Sequence, residues 1–164
     1  MKNGFTLIET IVALGLFSIV ITSVVGIFVS GTVSQKMTLE LYIVQREAGY
    51  LMETMSRELK MATIIADDQE DLSGSIIEFT NYESEVTIYC RADENGVCDV
   101  TGDYISRNGA VISSSDTMIN NLVFYTSEDF SASQPMVTIA MNIESIGQHK
   151  TEILLQNSVV IRIY

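Results

Sequence analysis

The chain has 164 residues, of which 47% are hydrophobic and 18% charged, and its net charge is −12. This length accommodates one ordinary domain and an additional segment, but not two full domains. After Gly31 the chain carries eight basic and 20 acidic residues, so no basic surface is left to replace counterions on a phosphate backbone, and direct nucleic-acid binding is not expected.

The first predicted element is an apolar helix that follows a short polar start. Ile11–Gly31 is a run of 21 residues without a charge. A helix of that length rises about 30 Å at about 1.5 Å per residue, enough to cross a bilayer core. Lys2, ahead of the run, favours a cytoplasmic location for this end. We therefore expect a single-pass protein of the inner (cytoplasmic) membrane whose C-terminal part lies outside the cytoplasm.

After Gly31 the pattern becomes that of an amphipathic helix with one buried stripe, because apolar residues recur at steps of four and three. The stripe consists of Met37, Leu41, Val44, Ala48, Leu51, Met55, Leu59 and Ala62. The other faces are predicted to carry Glu40, Arg46, Glu47, Glu53, Arg57 and Lys60. Glu53 and Arg57 have the spacing of a favourable i,i+4 pair. One nearly continuous helix is predicted from about Thr6 to Ile64, ended by an acidic loop at residues 67–71.

From Ser75 onward the hydrophobic period falls to two, which indicates β-strands. Asn108-Gly109 is the strongest turn signal in the chain and fits a type I′ hairpin. The predicted strands are Ile76–Thr80, Val86–Cys90, Tyr104–Arg107, Ala110–Ile112, Ile119–Tyr125, Val137–Ile143 and Glu152–Tyr164. The apolar face of such a sheet needs a cover, and the Met/Leu stripe of the helix supplies one.

The predicted fold class is therefore α+β, with a long N-terminal helix packed on a C-terminal antiparallel β-sheet. Its first half spans a membrane and its second half is amphipathic. We divide the chain into residues 5–31 for the spanning half, 32–66 for the amphipathic half and 67–164 for a β-rich exported head, preceded by residues 1–4.

Two cysteines and a group of acidic residues fall in one segment of the head. Cys90 and Cys98 enclose seven residues, Arg91–Val97, and an exported head favours a disulfide between them, with free buried thiols as the alternative. The spacing fits neither a redox CxxC motif nor a zinc site. Oxygen ligands of the kind that calcium prefers are found at Asp93, Asn95, Asp99 and Asp103. Their spacing differs from that of an EF-hand, so a polar loop without a cofactor is expected and calcium binding is the alternative.

The residues that indicate function are Gly4-Phe5-Thr6-Leu7-Ile8-Glu9, directly ahead of the apolar run. A carboxylate costs about 2.5–3.5 kcal/mol at the centre of a spanning helix and less near its end, so an acid at this place needs a specific partner. The stretch resembles the class III signal of type IV pilins and type II secretion pseudopilins. The resemblance implies that a prepilin peptidase removes residues 1–4 by cutting between Gly4 and Phe5. It further implies that Phe5 is then N-methylated, and that Glu9 neutralises the amino terminus of a neighbouring subunit during filament assembly.

A second resemblance covers most of the chain with looser motifs. Gln45–Met52 and Ser56–Leu59 look like the helix of J-type minor pseudopilins and PilW-like minor pilins. Many major pilins have a proline near the position of Gly26, and its absence here also favours a minor subunit. The resemblance implies a structural protein that helps to initiate or cap a filament of a type IV pilus or a type II secretion-like machine.

Three other interpretations have weaker support in the residues. A secretory signal peptide would have a more basic start and a shorter apolar core, and a plain single-pass anchor would not need Glu9. Either would leave a membrane-anchored or secreted β-domain with a binding function. An enzyme is not expected, because His149 is the sole histidine and the chain has neither a Gly-x-Ser-x-Gly elbow nor a phosphate-binding loop.

Overall fold

The computed structural model describes residues 6–65, 74–81, 83–126 and 136–161. A helix, α1, spans Leu7–Lys60, and the strands that follow it are antiparallel to their neighbours. In chain order they are β1 (Ala62–Ile65), β2 (Ile76–Asn81), β3 (Val86–Ala92), β4 (Tyr104–Arg107), β5 (Ala110–Val111), β6 (Thr117–Thr126), β7 (Met136–Ser145) and β8 (Glu152–Val160). The chain divides into two compact units, residues 1–39 and residues 40–164.

In the first unit, α1 exposes its apolar side chains all round, and it is long and apolar enough to cross a membrane. Its hydroxyl side chains donate back to carbonyls of the preceding turn. The Oγ of Ser18 lies 2.8 Å from the Leu14 carbonyl oxygen, and the Oγ1 of Thr22 lies 2.9 Å from that of Ser18. These polar groups are thus satisfied within the helix, as a surrounding without water requires.

In the second unit, one face of α1 is buried. The predicted stripe is confirmed over its central part, and the buried residues are Val44, Glu47, Ala48, Leu51, Met52, Met55, Ser56 and Leu59. The prediction is wrong at Met37, which lies in the first unit and is 53% exposed. The stripe therefore has a role in packing only where α1 belongs to the second unit.

The end of α1 differs from the prediction, because the helix stops at Lys60 and not near Ile64. Ala62–Ile65 forms β1 and pairs with β2, with Ala62 opposite Asn81 and Ile65 opposite Phe79. The run Thr63-Ile64-Ile65 is β-branched and has a higher preference for strand than for helix. The edge of β2 gives this run a hydrogen-bonding partner, which the periodicity of the helix did not reveal. The predicted acidic loop at 67–71 lies outside the described residues.

The strands form two sheets where the sequence predicted one. The first has the order β1-β2-β3-β4-β5 and the second the order β6-β7-β8. The hairpin predicted at Asn108-Gly109 is confirmed, since both residues have the positive φ angles, 51° and 80°, that a type I′ turn requires. Strand β8 ends at Val160, earlier than predicted, and residues 162–164 lie outside the description.

Both sheets and α1 contribute to one hydrophobic core. The predicted alternation in β7 is confirmed, because Val137, Ile139, Met141 and Ile143 are all buried. They join side chains of the first sheet, such as Phe79 and Tyr89, and those of the helix stripe. Since α1 is the element that covers both sheets, its buried face fixes their positions in the head.

Two acidic residues predicted on solvent faces of α1 instead bind backbone amides of the loops. The Oε1 of Glu47 accepts a hydrogen bond of 2.7 Å from the Ser114 N–H, and the residue is only 8% exposed. The Oε2 of Glu40 accepts one of 3.0 Å from the His149 N–H. A Cβ at Gly147 would approach the Glu40 carboxylate closely, so a larger residue there would displace this side chain. Apolar periodicity could not reveal these contacts, because the amides come from distant loops.

The hydrogen bond between Glu47 and Ser114 can be tested directly by mutation. In Glu47→Ala, the partly buried Ser114 N–H loses its acceptor, and we expect the free energy of unfolding to fall by about 1–3 kcal/mol. Glu47→Gln keeps an acceptor oxygen, so its free energy of unfolding should fall less. The matched control is Glu53→Ala, an exposed position on the same helix, which should change little. Thermal melts of the full chain in detergent micelles, followed by circular dichroism, measure all three. Equal losses in Glu47→Ala and Glu53→Ala would contradict the buried contact.

Candidate assembly site

The described part of the N-terminal motif begins at Thr6, which caps α1. The Thr6 Oγ1 accepts from the Glu9 N–H, and the Glu9 Oε2 accepts in return from the Thr6 N–H, each at 3.4 Å. The Thr6 carbonyl oxygen also accepts from the N–H groups of Glu9 and Thr10 at 3.1 and 3.2 Å. This reciprocal arrangement is a capping box, which satisfies amides that the first turn of a helix otherwise leaves unpaired.

The carboxylate of Glu9 is isolated from other charges along the helix. No other charged residue occurs from Leu7 to Gln35, and the side chains around Glu9 on the helix, including Leu7 and Ile8, are exposed and apolar. Among the described residues, which begin at Thr6, its polar contacts are the long hydrogen bonds of the capping box. A negative charge at a helix N-terminus is favoured by the helix dipole, but the capping box supplies no positive charge to neutralise it.

Gly4 and Phe5, the predicted processing residues, lie outside the described residues. Thr6, in contrast, is a residue that the sequence reasoning missed. The spacing Thr-x-x-Glu directly before an apolar run is a recognised signal for a helix N-terminus. It would have identified Thr6 as the cap and assigned Glu9 a second, local role.

The structure joins Cys90 and Cys98 in a disulfide with a Cα–Cα distance of 5.6 Å. Cys90 is buried in β3, while Cys98 is exposed in the loop that leads to β4. Gly96, between them, has a φ of 82°, and a Cβ there would collide with the Gly109 carbonyl oxygen. The loop is therefore fixed both by the disulfide and by close contact with the β4–β5 turn.

Two of the acidic residues proposed as calcium ligands bind amides of their own loop. The Asp93 Oδ1 accepts from the Asn95 and Val97 N–H groups at 2.9 Å, and the Asp99 Oδ1 accepts from the Thr101 N–H at 2.9 Å. Among the described residues no group of three or more His, Cys, Asp or Glu side chains is placed to hold a metal ion. A polar loop without a cofactor stays the prediction, and calcium binding by Asp93, Asn95, Asp99 and Asp103 stays its untested alternative.

Another polar cluster of the head joins α1 to the first sheet. The Glu58 Oε2 accepts from the Tyr89 hydroxyl at 2.9 Å and from the Arg107 Nε at 3.0 Å. Burial, and then the hydrogen bond to Glu58, raise the pKa of Tyr89 well above its usual range. The phenol therefore stays protonated and continues to donate, so this cluster acts as a permanent link between helix and sheet.

The α+β architecture, with its long N-terminal helix and antiparallel sheets, is pilin-like. A family model described as "Prokaryotic N-terminal methylation motif" matches residues 1–25. The match supports a type IV pilin-like subunit, and it favours a structural role over an enzymatic one. It implies processing by a prepilin peptidase and assembly with other pilin subunits, and the apolar helix fits a membrane-anchored pilin. Neither the curated proteins nor the solved structures contain a match to the chain.

The hydrogen bonds of Asp93 and Asp99 within their loop can be tested by pH titration. The pKa of Asp93 is lowered, chiefly by the hydrogen bond from the Val97 N–H. The pKa of Asp99 is lowered, chiefly by the hydrogen bond from the Thr101 N–H. Carboxyl groups with lowered pKa values stabilise the folded loop at pH values above the ordinary aspartate pKa, which is about 3.9. That contribution is lost as the pH falls through their own pKa values.

Carboxyl-detected NMR of the full chain in micelles should therefore show both titration midpoints below about 3.9. An aspartate in a short unstructured peptide, titrated in the same buffer, serves as the reference. Midpoints for Asp93 and Asp99 at or above that of the peptide would contradict the assigned turns.

Proposed function

We propose that the protein is a structural subunit of a type IV pilus or type II secretion-like filament. It is cleaved after Gly4 and N-methylated at Phe5, and its head lies outside the cytoplasm, first on the inner membrane and then in the filament. The single observation that carries this proposal is the isolated carboxylate of Glu9 at the start of an exposed apolar helix, within the matched methylation motif.

The role of Glu9 follows from its electrostatics. Cleavage after Gly4 would create an ammonium group at Phe5, one residue before the cap at Thr6. Opposite charges attract strongly in an apolar medium, and an unpaired charge there is penalised. The capping-box distances of 3.4 Å are long for hydrogen bonds, so the carboxylate is only weakly held by its own helix. The ammonium of a neighbouring subunit therefore offers a stronger partner, and pairing with it favours association of the helices.

Within the filament we assign the chain the role of a minor subunit that helps to initiate or cap assembly. The loose resemblance to J-type and PilW-like subunits supports this position. So does the regular first half of α1, where glycine stands at position 26 and the helix runs from Leu7 without interruption. Its partners in this role are other pilin-like subunits and the prepilin peptidase.

Glu9→Gln tests the proposed role most sharply. Glutamine can still complete the capping box but carries no charge, so helix formation is preserved while the intersubunit ion pair is lost. We expect cleavage after Gly4 and head folding to be unchanged, and incorporation into filaments to fall by about tenfold or more, the effect of about 1.4 kcal/mol.

Quantitative immunoblots of sheared filament and membrane fractions measure this incorporation. Glu53→Gln, which removes an exposed negative charge from the head half of the same helix, is the matched control. Normal incorporation of Glu9→Gln would overturn the counter-ion role. An uncleaved wild-type chain would instead indicate a plain membrane-anchored β-domain.

A further inference from the structure

An open groove of about 470 Å³ lies between the head half of α1 and strand β8. Its apolar wall includes Met52 of the helix and Leu155 of the strand, and the Asn157 Nδ2 donates to the Ser56 Oγ at 2.8 Å across its floor. β8 is an edge strand of its sheet, and no charged residue occurs from Ile153 to Ile161. An uncharged sheet edge is a surface to which another chain can bind.

The rim of this groove is basic, although the chain as a whole is strongly acidic. Arg57 and Lys60 line it and are exposed, and neither takes part in an ion pair within the described parts of the chain. The i,i+4 pair predicted between Glu53 and Arg57 is not formed, even though Glu53 also lines the groove. Arg107 and Lys150, in contrast, are paired with Glu58 and Glu144. The two rim cations are thus available to an acidic partner.

The loop stapled by the disulfide has the complementary chemistry. Val97 and Val100 are 64% and 44% exposed, and the exposed carboxylates of Glu94 and Asp99 flank them. We refer to residues 93–100 as the acidic knob. Because the disulfide and the turns of Asp93 and Asp99 fix its backbone, little conformational entropy would be lost when it binds.

We propose that the acidic knob of one copy of this chain docks in the basic groove of a second copy. Val97 and Val100 would then cover the apolar wall, while Glu94 and Asp99 would face Arg57 and Lys60. The charge complementarity between knob and groove is the observation that selects a second copy as the occupant.

The two surfaces share no residue, so the contact is heterologous. The copy that supplies the knob would keep a free groove, and the copy that supplies the groove would keep a free knob. A heterologous contact that does not close into a ring generates an open helical array. The inference rests on the proposed function, since it supplies a contact between heads in a filament whose helices associate through the N-terminal segment. It requires that two copies be neighbours, which a subunit can satisfy even when it is minor in number.

Zero-length cross-linking with a carbodiimide tests the contact, because this reagent joins an amine to a carboxylate only where the two groups touch. Full-length chains, half of them labelled with ¹⁵N, are mixed in detergent micelles at low salt, treated, and digested for mass spectrometry. We expect mixed-isotope peptides that join Lys60 to Glu94 or Asp99. Arg57→Glu should lower their yield about tenfold, while Arg46→Glu, an equal change of charge on the same helix outside the groove, should not.

A charge exchange sharpens the test. When Arg57→Glu chains are mixed with Glu94→Arg chains, the attraction between positions 57 and 94 is restored, and the cross-link from Lys60 to Asp99 should return between the two. Arg57 is exposed and unpaired, so its substitution should leave the melting temperature of the head unchanged. The label identifies which chain supplied the amine, and hence the direction of docking.

The absence of mixed-isotope peptides between Lys60 and the knob would overturn the inference. So would an equal loss of yield in Arg46→Glu, or no recovery on mixing the exchanged chains. These outcomes leave the proposed function untouched, because cleavage after Gly4 and the effect of Glu9→Gln are measured separately. Failure of cleavage, in turn, would overturn the proposed function without affecting the cross-link in micelles.

Discussion

The head depends on one interaction, the burial of a single face of α1, from Val44 to Leu59, beneath two antiparallel sheets. Neither sheet could bury its apolar face alone, since an antiparallel sheet of a few strands needs a covering layer. Leu51, Met55 and Leu59 are fully buried there. Burying side chains of this size stabilises a fold by about 1.5–3 kcal/mol each, so this face is both the core of the head and the means by which the head is attached to the helix.

The same helix meets opposite physical demands along its length. In the first unit its side chains are apolar and exposed, and its hydroxyls are satisfied by its own carbonyls, which suits a lipid or helix-bundle surrounding. In the second unit Glu40, Glu47 and Glu58 bind backbone amides or polar side chains of the head. Acidic residues within the head thus serve to hold loops and strands in place. Within the described part of the chain, the carboxylate of Glu9 bonds only to Thr6 of its own first turn, and this difference from the acids of the head is the basis of the assembly role proposed for it.

Much of this structure could be predicted from the sequence, because local periodicity reports local structure. The apolar run, the stripe from Val44 to Leu59, the alternation in β7 and the Asn108-Gly109 turn each have a period or a turn chemistry of their own. The division into two sheets, the strand β1 and the contacts of Glu40 and Glu47 depend on which distant segments meet, and one sequence does not contain that information in local form. The motif around Glu9 can be identified from the sequence because its residues are adjacent, and the same holds for the capping role of Thr6, whose signal is the Thr-x-x-Glu spacing.

Whether the chain follows the prepilin pathway can be read from the N-terminus of the mature protein. Intact mass and N-terminal sequencing of the chain recovered from its native membranes would identify that terminus. We expect a chain that lacks residues 1–4 and begins with N-methylated Phe5, so that a charged amine lies close to the start of the apolar helix. A chain that retains Met1, or one that begins after about residue 30, would contradict it.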